Sequence, residues 1–245
     1  MKTRIMEQKM NSRTIIKAGI ALAAAAMTPS AVFLTLSRPE KEKKKKPGTG
    51  TIICIGDSIT FGAGVLTSRK KNAWPYILDG LMGQKAEMLN YGISGATMST
   101  GGDTPYKEDF YQAAEKMDPQ TILLMLGTND SKRQNWNTEL FAEDYENFLK
   151  RFMKEGRQII LMCPPKAFPK KGKEVSVYGI RDHEIREGVI PVIKRLADQY
   201  SLRVIDLYGL SENHPEYFGD GVHPNKRGNR IIADHIFRFL GGNAV

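Results

Sequence analysis

The chain has 245 residues and a formal net charge of +9, which is length enough for one domain whose core needs no disulfide or metal staple. The charge is unevenly spread: residues 1–50 hold 11 Lys and Arg against 3 Asp and Glu, while the other 195 hold 25 against 24. So balanced a remainder offers no electrostatic footprint for nucleic acid, and no nucleic acid partner is expected.

Lys2, Arg4, Lys9, Arg13 and Lys17 precede AGIALAAAAMTPSAVFLTL at 18–36, a stretch without charge. Basic, then apolar, then small residues is the order of a secretory signal. The apolar run also approaches the minimum length for crossing a bilayer, although Pro29 and the alanines weaken it as an anchor. Residues 1–37 are therefore expected to be a signal peptide or an N-terminal membrane anchor. Either places the protein outside the cytoplasm, and the anchor is the only membrane contact expected. RPEKEKKKKPGTG, at 38–50, reads as a solvated Lys-rich tether, because its charge and Pro/Gly content disfavour a packed core. The domain itself is expected over 51–245.

TIICIG (51–56), AEMLNYG (86–92), TILLMLG (121–127), RQIILMC (157–163) and LRVIDLY (202–208) are continuous apolar runs. Unbroken rather than alternating apolarity predicts strands covered on both faces. Amphipathic stretches fall at 73–83, 106–117, 138–156, 186–200 and 225–240. Thr138 is the expected N-cap of the third and Gly156 its stop. Pro191 lies inside the fourth and marks either its first turn or a kink. Strand and helix alternate, which predicts an α/β fold with a parallel sheet between helices. Cys54 and Cys163 each sit in a strand run and read as small buried hydrophobes.

In such a sheet, ligands bind beyond the carboxyl ends of the strands. After the first run comes GDSITFGAG, where Ser58 is a turn or N-cap serine or an exposed nucleophile. The segment lacks the G-K-[ST] ending of a phosphate loop, and the chain has no G-x-S-x-G elbow. After the second run, Gly95 lets a backbone N–H approach a ligand. After the third, Asn129 offers either an Asx turn or an amide donor for an oxyanion. After the fifth comes DGVHP, in which Asp220 can curl back onto His223 and hold its ring. Taken together these are the parts for acyl transfer: nucleophile, oxyanion donors, base and orienter. His183, His214 and His235 join no motif.

The blocks GDSIT, NYGISGAT, GTND and DGVHP resemble, in this order, the four blocks of the SGNH (GDSL-type) hydrolases, over about residues 51–240. Ile-Thr stands where the family name has Leu-Ser. The loops GGDTPY and LGTNDSKRQNW further resemble secreted carbohydrate O-acetylesterases, including sialate O-acetylesterase-like domains. The resemblance implies a three-layer α/β/α flavodoxin-like sandwich with a five-stranded parallel sheet in the order 2-1-3-4-5. It implies Ser58 as nucleophile, with oxyanion donors from the Ser58 and Gly95 amides and the Asn129 side chain. His223 would be base and then acid, and Asp220 its orienter. Asp57, Tyr106 and Trp136 are candidate substrate contacts, Asp57 more as loop support than as chemistry.

The expected activity is hydrolysis of short acyl esters, acetyl above all, on carbohydrates through an acyl-serine. The expected partner is a small-molecule or glycan ester, with no metal and no organic cofactor. A lysophospholipase or thioesterase of the same family is the alternative, and it would need an apolar acyl groove. A carbohydrate-binding module on the same fold would have lost a catalytic residue, and none is lost.

Overall fold

The computed structural model describes residues 50–83 and 85–242. The expected signal or anchor and nearly all of the tether lie outside the described residues; Gly50, placed in the tether, instead opens the first strand. Among the described residues, no helix is long and apolar enough to cross a membrane.

The apolar runs form β1 (Gly50–Gly56), β2 (Ala86–Gly92), β3 (Thr121–Met125), β4 (Gln158–Cys163) and β5 (Arg203–Asp206). They pair in parallel in the order β2-β1-β3-β4-β5. The alternation of side chains explains why these strands read as unbroken hydrophobic runs. Ile53 and Ile55 of β1, Ile122 and Leu124 of β3, and Ile159 and Leu161 of β4 enter one core. Their neighbours Ile52, Cys54, Leu123, Met125, Ile160 and Met162 enter a second core on the opposite face. With a period of two and both faces covered, neither face of these three central strands is left to solvent at those positions. Cys54 and Cys163 are buried, one in each core, and neither is in a disulfide among the described residues.

The short helices α1 (Ser58–Phe61) and α2 (Arg69–Asn72) lead into α3 (Trp74–Met82). Then follow α4 (Glu108–Lys116), α5 (Thr138–Phe152), the single turn α6 (Asp182–Glu184) and α7 (Ile190–Gln199). The last are α8 (Leu207–Ser211) and α9 (Lys226–Phe239). Residues from α4, α5 and α7 fill the first core, and those from α3 and α9 the second, giving three layers.

Three local expectations are corrected. Asn137, not Thr138, caps α5, its side chain accepting from Leu140 N at 2.9 Å. The fourth amphipathic stretch begins earlier, at Asp182, and winds through a π turn at Ile185–Val189 before Pro191 enters the first turn of α7. A proline has no N–H to give to the preceding turn, so that turn is free to widen. The fifth strand stops at Asp206, whose side chain accepts from Gly209 N and caps α8, so Leu207 and Tyr208 turn into a helix.

The register sets Gly56 of β1 level with Gly92 of β2 on one side and Met125 of β3 on the other. The segments that follow these three strand ends carry Ser58, Gly95 and Asn129.

Candidate active site

Ser58 is the first residue of α1, directly after β1. Asp57 caps that helix, its Oδ1 accepting from Ile59 N at 2.8 Å. Gly62, in the left-handed region at φ 97°, ends α1 after one turn. The serine is thereby fixed at the lip of the sheet.

His223 arrives from the other end of the sequence, on the loop before α9. Asp220 folds this loop: its Oδ1 accepts from the amides of Val222 at 2.9 Å and His223 at 2.7 Å. That closes an Asx-type turn and leaves Oδ2 facing His223 Nδ1 at 2.7 Å. His223 Nε2 lies 2.8 Å from Ser58 Oγ. An ionised carboxylate only accepts, so Nδ1 carries the proton toward Asp220 and Nε2 is the acceptor facing the serine hydroxyl. Burial works to raise the Asp220 carboxyl. The His223 ring and charge, with the two amides, outweigh it and hold Asp220 well below the usual carboxylate range.

The turn depends on Gly221, at φ 83°. A Cβ there would stand 2.2 Å from the Phe168 carbonyl oxygen, and Phe168 N donates back to Gly221 O at 2.7 Å. The residues after β4 are thus stitched to the loop that carries His223.

Gly95 and Asn129 face the same cavity as Ser58 and His223, a space of about 460 Å³. Gly95 sits at φ 83°, and an added Cβ would meet nothing closer than 3.8 Å, so its backbone angle rather than space calls for glycine. Asn129 Nδ2 spends one hydrogen on Ala96 O at 3.1 Å. Asn135 supports both sides, its Nδ2 donating to Asn129 O at 2.9 Å and to Asp103 Oδ1 at 3.1 Å. Asp103, Thr104 and Lys132 supply polar lining, and Val177, Tyr178, Ile180 and Val222 supply apolar lining.

Two buried carboxyls lie behind this surface. Asp130 accepts from Met98 N at 3.0 Å and Ser99 N at 2.8 Å and so holds the loop after β2. Burial pushes its carboxyl up to about 7; these amides oppose the shift and the charge of Asp57 adds to it. Burial pushes Asp57 up to about 6, opposed by the Ile59 amide, the Thr128 hydroxyl and the positive charges of His223 and Lys132. Asp57 Oδ2 and Thr128 Oγ1 have no partner in good hydrogen-bond geometry among the described residues.

The three candidate substrate contacts are placed elsewhere. Asp57 is fully buried and caps α1, away from the cavity wall. Tyr106 is buried in the first core, its hydroxyl donating to Tyr91 O at 2.6 Å and its ring packed edge-on against Phe110. Trp136 packs on Phe141 at 5.5 Å, with Gly188 pressed against its ring. An aromatic beside a motif looks the same in sequence whether it points to the cavity or the core. Conversely, Val177, Tyr178 and Ile180 lie outside any strand-end pattern, while Lys132 and Val222 sit inside the loops after the third and fifth strands without having been singled out there. Among the described residues, no group of three or more His, Cys, Asp or Glu side chains is arranged to hold a metal ion.

A hydroxyl, an imidazole and a carboxylate in one relay, beside two amide sources above a parallel sheet, form the layout of an acyl-transfer site. Comparison with known proteins places the chain more narrowly. Residues 52–236 match the family model of GDSL-like lipase/acylhydrolases, and the chain belongs to that family. It is 32% identical over 207 residues to an acetylxylan esterase of Xylanibacter ruminicola, a match covering 76% of this chain and 42% of that protein. The chain thus spans less than half of that relative. Among solved structures, a carbohydrate acetylesterase from Sinorhizobium meliloti superposes with a TM-score of 0.61 at 18% identity, over 79% of this chain and 99% of that one. The aryl esterase of M. smegmatis does so at 0.62 and 18%, with the same coverage. At these identities the likeness is one of fold.

Proposed function

We propose that the protein is a serine esterase that removes short acyl groups, acetyl above all, from carbohydrate hydroxyls. The observation that carries this reading is the relay from Ser58 Oγ through His223 to Asp220, with steps of 2.8 and 2.7 Å, opening into a cavity shared with Gly95 and Asn129. Ser58 Oγ attacks the ester carbonyl carbon as His223 Nε2 takes its proton. The oxyanion is met by the Ser58 and Gly95 amides and the second hydrogen of Asn129 Nδ2. The imidazolium, held by Asp220, passes its proton to the departing sugar oxygen, and the acyl group stays on Ser58. Water then enters, gives a proton to His223, and repeats the cycle to release the acid.

Two observations support a sugar ester. The cavity combines the hydroxyl-binding groups Asp103, Thr104 and Lys132 with the aromatic side chain of Tyr178. The Xylanibacter relative is named for an acetylated polysaccharide. The apolar lining of Val177, Ile180 and Val222 favours the second reading, a longer acyl chain. Acyl-length profiling on p-nitrophenyl esters, alongside acetylated xylo-oligosaccharides, separates them. Acetyl should exceed octanoyl by at least about tenfold in kcat/KM, because a groove matched to a lipid gains about 0.8 kcal/mol per buried methylene and reverses the trend. Activity that climbs with chain length overturns the sugar-ester assignment. Residues 18–36 are proposed to carry the enzyme out of the cytoplasm, and fractionation finding full-length enzyme only in the cytosol would rule that out.

A further inference from the structure

Asp220 offers four acceptor positions, and three belong to its own turn: the amides of Val222 and His223 on Oδ1 and the His223 ring on Oδ2. The fourth is taken from outside. Tyr178 Oη donates to Oδ2 at 3.0 Å, the same oxygen that faces His223 Nδ1. The Tyr178 ring also stands against the imidazole, with centroids 5.0 Å apart and planes at 70°. One side chain thus touches both members of the acid–imidazole pair.

The backbone around Tyr178 is built to hold it there. Ser176 Oγ accepts from the amides of Tyr178 and Ile180, and Ser176 N donates to Ile180 O at 3.0 Å. Gly179, at φ 76°, closes that turn. Earlier in the same segment Phe168 bonds to Gly221 and packs its ring 5.3 Å from that of Phe218. The residues between β4 and α6 are therefore fastened to the His223 loop at two places, and the second is the carboxylate itself.

Resting on the esterase reading above, we propose that Tyr178 is a positioning residue: its hydroxyl helps to fix the rotation of the Asp220 carboxylate, and its ring limits the tilt of His223. Rotation about the last Asp220 bond moves both oxygens together, so the two amides on Oδ1 share that restraint with the partners of Oδ2. There the imidazole is a partner that must move during the reaction and Tyr178 is one that need not. Tyr178 is 40% exposed, so replacing it does not open the core.

The test is Tyr178→Phe in the full chain, which removes the hydroxyl and keeps the ring. The His223 Nδ1–H proton is followed by NMR in the resting enzyme and assigned by its loss in His223→Gln. It should shift or broaden in Y178F, while kcat falls roughly three- to thirtyfold and KM stays within about twofold, as expected for loss of one hydrogen bond to a charged orienting group. Val175→Ala, on the same segment but off the cavity, should leave resonance and kcat at parent values. A Y178F resonance that superimposes on the parent's overturns the proposal, and so does a loss confined to KM. The resonance needs no turnover. A parent that hydrolyses no acyl ester would sink the esterase reading while the spectrum still decides the role of Tyr178.

Discussion

Asp57→Asn is a test in which stability and activity should move in opposite directions. Burial lifts the Asp57 carboxyl from 3.8 to about 6 in the folded chain, while the unfolded chain titrates near the ordinary value. Between about pH 4 and 6 the folded state therefore holds a proton that the unfolded state has released, and stability falls as pH rises through that window. Above it, both states are ionised and the loss is complete. Each pH unit of the window costs about 1.4 kcal/mol, so the full loss is on the order of 3 kcal/mol. Asparagine has the shape of the protonated acid and no charge. Its Oδ1 can keep the Ile59 amide, and its Nδ2 can donate to the Thr128 oxygen beside it. The variant should match the parent near pH 4 and exceed it at pH 7.5 by up to about 3 kcal/mol, or roughly 6–12 °C in Tm for a domain of this size.

Other groups titrate in the same range, so the difference between the two melting curves is the quantity to read. Glu108, Glu115, Glu146 and Asp118 are exposed or nearly so and are held low chiefly by side-chain hydrogen bonds to Arg151, Tyr200 and Lys154. What little stability they add is lost only below about pH 4.5. His235 runs the other way: burial lowers it, so stability rises as pH climbs toward its ordinary value. Both chains share these terms. Asp130 is the exception, because it feels the charge of Asp57; the two acids titrate as a pair, and the variant relieves both. Circular-dichroism melts from pH 4 to 8 decide the matter. Parallel curves, or a variant less stable at pH 7.5, would refute the reasoning. The charge removed is one that attracts protonated His223, so kcat should drop as Tm rises. That is the trade expected of a strained group kept for function.

The sheet was legible because a strand buried on both faces leaves an uninterrupted apolar run, and five of them separated by amphipathic stretches admit few arrangements. The parts of the candidate site were legible for a related reason: a doubly wound sheet delivers chemistry just past each strand, so Ser58, Gly95 and Asn129 could be sought at fixed places. Asp220 and His223 were readable as a pair because their spacing closes a single turn. What stayed hidden depends on side-chain direction and on long-range contacts. Nothing local turns Tyr106 inward to Tyr91 or Trp136 onto Phe141. Asn229 reads as an ordinary helix residue, yet its buried amide ties Trp74 N to Pro224 O, joining the start of α3 to the His223 loop. Tyr178 sits in a stretch of lysines, glycine and valines with no periodicity, and only the folded chain brings it to Asp220.

Ser58→Ala should abolish turnover and fluorophosphonate labelling with the fold intact by circular dichroism; a label that maps to another serine would reassign the nucleophile. Asn129→Ala should lower kcat by roughly 10²–10³, about 2.7–4 kcal/mol, with little change in KM, and steady-state kinetics in which only KM suffers would make Asn129 a substrate contact. Gly221→Ala tests whether backbone geometry sets the relay. A side chain at φ 83° costs about 1–2 kcal/mol in itself. Its Cβ would also meet the Phe168 carbonyl at 2.2 Å, a backbone atom that cannot swing aside as a flexible side chain would. The turn must therefore shift, carrying Asp220 and His223 with it, and a displacement near 1 Å can cost about 10²-fold in rate. Gly219, two residues earlier, has nothing within 4 Å of its would-be Cβ, so Gly219→Ala should be nearly neutral. Were the two variants to show the same kcat and Tm, the contact between Phe168 and Gly221 could not be what holds His223 at hydrogen-bond distance from Ser58.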